Sequence, residues 1–219
     1  MAFANRLFAY FPLLMTLLTF AALGAFAREP SFWTLLLLCG VIYLIPPIVQ
    51  RILLRWTPFR FGVSRIDERT YSSWLATHHL QAFYDALPQL ESLLRVLPGF
   101  YSLWLRLWGS RVGYGVEWPV NLQVLDRGLM DIGNRVVFAR GVELSAHMRG
   151  QSDGAASRVL VRPVRIGSNA FIGANARLEP GAVVPSGGAL PEHGVVGVNT
   201  TLGGKPHHPA PEEAEFVAI

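Results

Sequence analysis

The side chains in this 219-residue chain that could do chemistry are six histidines, one cysteine and fifteen carboxylates. His78 and His79 are adjacent within a stretch of helical periodicity. Neighbours on a helix point about 100° apart, so the pair cannot face one ion and reads as a solvated or interfacial helix surface. His147 stands in ELSAHMRG, and His193, His207 and His208 follow it. A zinc hydratase would need three histidines around one ion with a position left open. None of these four shows a short His-x-His spacing, and His207 and His208 would point apart on an extended segment, so no metal is expected. Cys39 lies alone in an apolar run, which excludes an intrachain disulfide and makes it a small buried hydrophobe. There is no P-loop and no G-x-G-x-x-G, and although GQSDG (Gly150 to Gly154) has the G-x-S-x-G letters, no helical pattern follows it to make a nucleophile elbow.

Positioning falls to a six-residue repeat. Leu160, Ile166, Ile172, Leu178, Val184, Leu190, Val196 and Leu202 are all aliphatic, and Val164, Ala170, Ala176, Ala182, Gly188, Gly194 and Thr200 follow at the fourth step. Gly167, Gly173, Gly197 and Gly203 directly follow the aliphatic residue. Upstream the step recurs in a displaced frame through Ile132, Phe138 and Leu144, with Val136, Val142 and Met148 at the fourth step, and more loosely through Val112, Trp118 and Val124. A period of six with this Gly and Pro density excludes an α-helix and predicts a parallel β-helix, three hexads to a coil. Gly150 to Val159 (GQSDGAASRV) interrupts the repeat, accounts for the change of frame and reads as a polar loop expelled from a coil.

The chain is 51% hydrophobic and 16% charged, too apolar for disorder. Its net charge of +4 does not mark a nucleic-acid binder. Arg6, Arg28, Arg51, Arg55 and Arg60 against Glu29 already account for all of it, and the remainder is neutral. Two uncharged runs, about residues 7–27 and 31–50, each have the length of a membrane-crossing helix, giving a transmembrane hairpin within residues 1–60. Pro46-Pro47 should kink or end the second helix before Arg51. Arg51, Arg55, Arg60 and Arg65 outweigh Arg28, so the positive-inside rule puts both termini in the cytoplasm. Arg6 and the Ala25-Phe26-Ala27 sequence also imitate a cleavable signal peptide, but the second run would still anchor the chain.

Residues 61–110 read as a connector of two or three amphipathic helices broken at Pro88 and Pro98. Its aromatic residues (Trp74, Phe83, Tyr84, Phe100, Tyr101, Trp104, Trp108) suit either a membrane interface or core packing. The β-helix then occupies 111–208, and an acidic tail with Glu212, Glu213 and Glu215 occupies 209–219.

IGSNAFIGANARLEPGAVV (Ile166 to Val184), the GKP at Gly204 to Pro206 and LRLWGSRVG (Leu105 to Gly113) resemble the hexapeptide-repeat acyltransferases, which are left-handed β-helices. The last segment is similar to the one that opens the repeat in membrane-associated members and in the terminal domain of some amino-acid polymer synthetases. The resemblance covers about half of the chain and implies acyl transfer, commonly of acetyl, from coenzyme A to a hydroxyl or amine. It also implies a homotrimer with sites between neighbouring subunits. A histidine beside an expelled loop acts as general base in such proteins, and the matching residue is His147. An imidazole with an ordinary pKa of about 6.5 can take the acceptor's proton and return it to sulfur. Asp126 or Asp131 could orient that imidazole or bind acceptor, but both read first as solvated turn carboxylates, with Asp126 the substrate-binding candidate.

Gly173 and Ala174 match the family's donor-binding turn, and Lys205, the only lysine, could meet a coenzyme A phosphate. Leu190-Pro191-Glu192-His193 and Gly204-Lys205-Pro206-His207-His208 depart from the family's pattern. The expectation is a bacterial inner-membrane acyltransferase with two spans, a cytoplasmic β-helix, an acyl-CoA donor and a lipid-linked or polymer-precursor acceptor. A non-catalytic trimeric scaffold in a membrane complex is the other reading.

Overall fold

The computed structural model describes residues 7–66, 72–151 and 157–204. They divide into two units, one holding the chain up to Phe59 with Glu68–Leu87, the other holding Arg60–Asp67 with everything from Pro88 onward.

The first unit is helical: α1 (Phe11–Arg28), α2 (Phe32–Tyr43), α3 (Ile45–Trp56) and α4 (Ser73–Ala86). Helix α2 starts at a reciprocal cap, in which the Ser31 hydroxyl accepts from the Thr34 N–H and the Thr34 hydroxyl accepts from the Ser31 N–H. Helix α1 is long and apolar enough to cross a membrane, with a mean hydropathy of 1.6. Helices α2 and α3 reach that length only together, across a bend of 43°. The bend lies at Leu44, and Pro46-Pro47 occupy the first turn of α3, which continues past Arg51 and Arg55. The expected kink before Arg51 is this bend: first-turn amides have no intrahelical acceptor, so the two prolines sit at the start of the new helix that follows it. Cys39 is exposed on α2, not buried. Trp74, Phe83 and Tyr84 of α4 are buried, and the Tyr84 hydroxyl donates to the Ile42 carbonyl.

In the second unit the six-residue step becomes a rotation among three parallel sheets. The short strands β2 (Arg111–Val112), β4 (Met130–Ile132), β9 (Val164–Ile166) and β12 (Val183–Val184) form one. Strands β5 (Val137–Phe138), β10 (Phe171–Ile172) and β13 (Ala189–Leu190) form the second. Strands β3 (Gln123–Val124), β6 (Glu143–Leu144), β11 (Arg177–Leu178) and β14 (Val195–Val196) form the third.

Ile166, Ile172, Leu178, Val184, Leu190 and Val196 are all buried, as are Ile132, Phe138 and Leu144 of the displaced frame. Asn169, Asn175, Gly181, Gly187, His193 and Asn199 take left-handed backbone once every six residues, each turning the chain from one sheet toward the next. Asparagine and glycine tolerate that conformation best.

Paired residues are eighteen apart where the repeat is regular, as in Arg165 with Val183, but thirty-four apart for Asp131 with Arg165. The extra sixteen residues are an excursion longer than the expected Gly150 to Val159. It carries β7 (His147–Gln151) and β8 (Ser157–Val161), paired antiparallel. Met148 and Leu160, assigned from sequence to the repeat, are instead opposite each other on this hairpin. Its third strand is β1 (Gly62–Ile66), antiparallel to β8, so the connector is not helical throughout.

Helices α5 (Gln89–Val96) and α6 (Phe100–Trp108) precede the sheets. Tyr101, Trp104, Leu105 and Trp108 are buried, which decides for core packing there, while Phe100 is exposed. Trp118 stacks on Phe138 with centroids 5.0 Å apart and receives the edge of Tyr101 at the same distance. Helix α6 thus covers apolar side chains at the start of the repeat, the role a capping element plays in any stacked array.

Candidate active site

The site begins where the hairpin leaves the sheets. The ladder runs normally through Ser145, whose N–H donates to the Leu178 carbonyl at 3.0 Å, and then the chain departs. It returns at Arg162, whose N–H donates to the Ala146 carbonyl at 2.9 Å. Past Ser145 a side chain meets the Ala146 N–H. Asp126, two residues past β3, accepts that N–H on Oδ2 at 2.8 Å.

The same Oδ2 lies 2.8 Å from Nδ1 of His147, the first residue of β7. The Asp126 side chain is 4% exposed and that of His147 16%. An ionised carboxylate only accepts, so Nδ1 carries the proton toward Asp126 and Nε2 is left as the ring's acceptor, an assignment that follows from the hydrogen-bond pattern. The Ser145 hydroxyl donates to the His147 carbonyl at 2.7 Å, fixing the backbone under the imidazole.

A cleft of about 350 Å³ opens on His147, with Asp126 buried behind it. Leu125, Glu143, Ser145, His147, Arg149 and Arg177 contribute to its walls. Arg177 Nε lies 3.4 Å from Glu143 Oε2 with the arginine exposed and the glutamate partly so, and the pair lends orientation and little energy. The arrangement can deprotonate a hydroxyl or amine presented to Nε2 and hold the resulting imidazolium against a buried carboxylate.

The expectation for Asp126 was a solvated turn carboxylate, whereas the residue is 3% exposed and faces His147. Asp131 is the surface residue of the two, 3.9 Å from exposed Arg111. Gly173 and Ala174 follow β10 and are not part of the cleft wall. The Gly173 N–H is spent on the Leu190 carbonyl at 2.8 Å, and a Cβ there would lie 2.5 Å from the Pro191 carbonyl carbon. Gly173 therefore supplies room for the coil beside it. His193 occupies a left-handed turn, φ 56°, and is exposed. Among the described residues no three His, Cys, Asp or Glu side chains cluster to hold a metal. Lys205, His207 and His208 lie outside the described residues, as does the acidic tail.

Sequence reasoning missed Glu143, Arg149 and Arg177. The repeat held the signal for two of them: Glu143 and Arg177 each precede an inward leucine and stand opposite one another in the ladder.

No family pattern matches the chain, and no curated protein does. It is similar to solved structures at low identity. A hexapeptide-repeat acetyltransferase from Vibrio cholerae is 14% identical over 57% of this chain and 91% of its own, with a TM-score of 0.33. The serine acetyltransferase of Neisseria gonorrhoeae is 16% identical over 92% of this chain and 94% of its own, with a TM-score of 0.31. A maltose O-acetyltransferase from Clostridium difficile is 15% identical over 53% of this chain and 79% of its own, with a TM-score of 0.24. These three solved structures are a hexapeptide-repeat acetyltransferase, a serine acetyltransferase and a maltose O-acetyltransferase.

Proposed function

We propose that this protein is a membrane-anchored acyltransferase of the hexapeptide-repeat type. It moves an acyl group, acetyl in the first instance, from coenzyme A to a hydroxyl or amine. The observation that carries this reading is the His147 Nδ1 to Asp126 Oδ2 contact of 2.8 Å at the wall of an open cleft. The three sheets visited in rotation are the faces of a left-handed β-helix, with the Ala146 to Val161 excursion as its expelled loop.

His147 Nε2 accepts the acceptor's proton as the acceptor oxygen or nitrogen attacks the thioester carbonyl. The carbon–sulfur bond then breaks, and the proton passes from Nε2 to the sulfur. Asp126 holds the tautomer and stabilises the imidazolium between those two transfers. Donor binding is assigned to the turn at Gly173 and Ala174 and to Lys205.

Helix α1 and the bent α2–α3 pair are two spans of a bacterial inner membrane, with the β-helix on the cytoplasmic side by the charge of Arg51, Arg55, Arg60 and Arg65. An anchored enzyme of this kind serves an acceptor that is itself in the membrane, a lipid-linked or surface-polymer precursor, and works as a homotrimer. The test is calorimetry of coenzyme A and acetyl-coenzyme A on the detergent-purified protein and its His147→Ala variant. Binding to both proteins, with acyl transfer lost only in the variant, is the expected result. Absence of binding to the folded protein would leave a non-catalytic scaffold.

A further inference from the structure

Arg127, the residue after Asp126, is 3% exposed and reaches away from the cleft into a buried ionic cluster. Its Nε donates to Glu91 Oε1 of α5 at 2.7 Å, and its Nη2 donates to the same oxygen. The other carboxylate oxygen, Oε2, accepts from Arg95 Nη2 at 2.7 Å and from the Tyr101 hydroxyl at 2.7 Å. The Arg95 guanidinium also lies 4.3 Å above the Tyr101 ring and donates to the Val120 carbonyl at 2.7 Å. Glu91 is 4% exposed.

Two arginines sharing one carboxylate out of water is an expensive way to stabilise a fold. Well-packed apolar residues serve as well or better, and the attested use of such clusters is to fix geometry. What this cluster fixes is the chain at Asp126. On one side of it the Leu125 N–H is held by the Leu144 carbonyl at 3.0 Å. On the other, the Arg127 side chain is forked onto α5, and its carbonyl accepts from the Ser110 hydroxyl at 2.7 Å, which in turn accepts from the Met130 N–H at 2.9 Å. The Asp126 carbonyl takes the Leu129 N–H at 3.1 Å. A carboxylate that must meet Nδ1 at 2.8 Å has little tolerance, since reacting groups lose their effect when displaced by about 0.5 Å.

We infer that Glu91, Arg95 and Arg127 are positioning residues that hold Asp126, and through it the His147 tautomer, from the far side of the chain. The link to turnover rests on the acyltransferase reading; the link to His147 does not, and the experiment reads the latter directly. In the full chain in detergent, with histidine nitrogens labelled and the His147 signals assigned by difference from His147→Gln, nitrogen NMR reports which ring nitrogen carries the proton. The combined variant Glu91→Leu, Arg95→Met, Arg127→Met removes all three charges together and leaves none of them stranded.

The expected result is a folded protein in which His147 changes from one Nδ1-protonated tautomer to a mixture, with turnover down by about tenfold or more and the donor KM within about twofold. A folded triple variant with an unchanged tautomer overturns the inference. Should the triple variant not fold, Arg127→Lys decides on the same signature, because a lysine keeps the charge and loses the fork. A mixed tautomer in that variant supports the inference, and a single Nδ1-protonated ring overturns it. A tautomer that shifts as expected in a chain that transfers no acyl group would uphold the positioning role and refute the acyltransferase reading.

Discussion

Replacing Asp126 with asparagine keeps the shape of the side chain and removes its charge. Oδ2 of Asp126 serves two donors, the Ala146 N–H and His147 Nδ1, both at 2.8 Å. Asparagine can keep an oxygen in that place, so the hairpin base stays closed and the protein folds. Catalysis suffers, because imidazolium forms in the transition state and a hydrogen bond to a charged partner contributes about 1.5–3 kcal/mol against about 0.5–1.5 for a neutral one. The difference, about 1–1.5 kcal/mol at about 1.4 kcal/mol per decade, is a fall in kcat/KM of about 5- to 12-fold. Complete loss of the base in His147→Ala should lower it by about 10²–10⁴-fold.

The two effects must not add. Without an imidazole there is nothing for Asp126 to orient, so Asp126→Asn on the His147→Ala background should cost less than about threefold more. The assay is thiol release from acetyl-coenzyme A with a panel of hydroxyl and amine acceptors, and calorimetry shows that donor affinity is unchanged. Full activity in Asp126→Asn, or strict additivity in the double variant, would refute the dyad.

Gly173→Ala should lower the melting temperature, since its Cβ meets backbone at 2.5–2.6 Å and overpacking of this kind costs about 1–3 kcal/mol. Gly197→Ala, at the same place in its hexad, finds nothing nearer than 3.7 Å and should be close to neutral; equal shifts in the two would contradict the packing argument. Burial first, and then the negative charge of Glu91, push the Tyr101 phenol far above its ordinary value. A raised pKa in the folded state favours the neutral phenol, so this contribution to stability is complete below about pH 10 and is lost as the unfolded chain's tyrosine ionises above it. Tyr101→Phe should be less stable at pH 7 and decline less steeply between pH 9.5 and 11 than the parent, by up to about 1.4 kcal/mol per pH unit; parallel slopes would refute the assignment.

The repeat was readable because its period is local. One large inward side chain and one turn residue every six positions are demands each hexad meets alone, so burial of Ile166, Ile172 and Leu178 follows from spacing. The length of the excursion was misjudged because strand residues alternate faces, and Leu160 on an antiparallel hairpin is as aliphatic as Ile166 in a coil. The proline pair announced the bend before Arg51 but not its exact place, because Pro46-Pro47 is compatible with a helix end or a helix start, and only the break at Leu44 distinguishes them.

His147 could be singled out by its place beside the interruption, but its partner could not. Asp126 precedes it by twenty-one residues with no motif between, and the two meet because the first coil carries two residues more than the regular eighteen, pairing Gln123 with Glu143. Nothing in the sequence marks Glu91, Arg95 and Arg127, since sequence shows charge and helix register but not which helix face is covered. By itself the sequence determined the apolar N-terminal runs, the six-residue repeat and the candidate base, all set by neighbours within a few positions. Only the tertiary structure decided what that base touches and what holds its partner in place, because burial and hydrogen bonds between residues 20 to 36 positions apart are made by the folded chain as a whole.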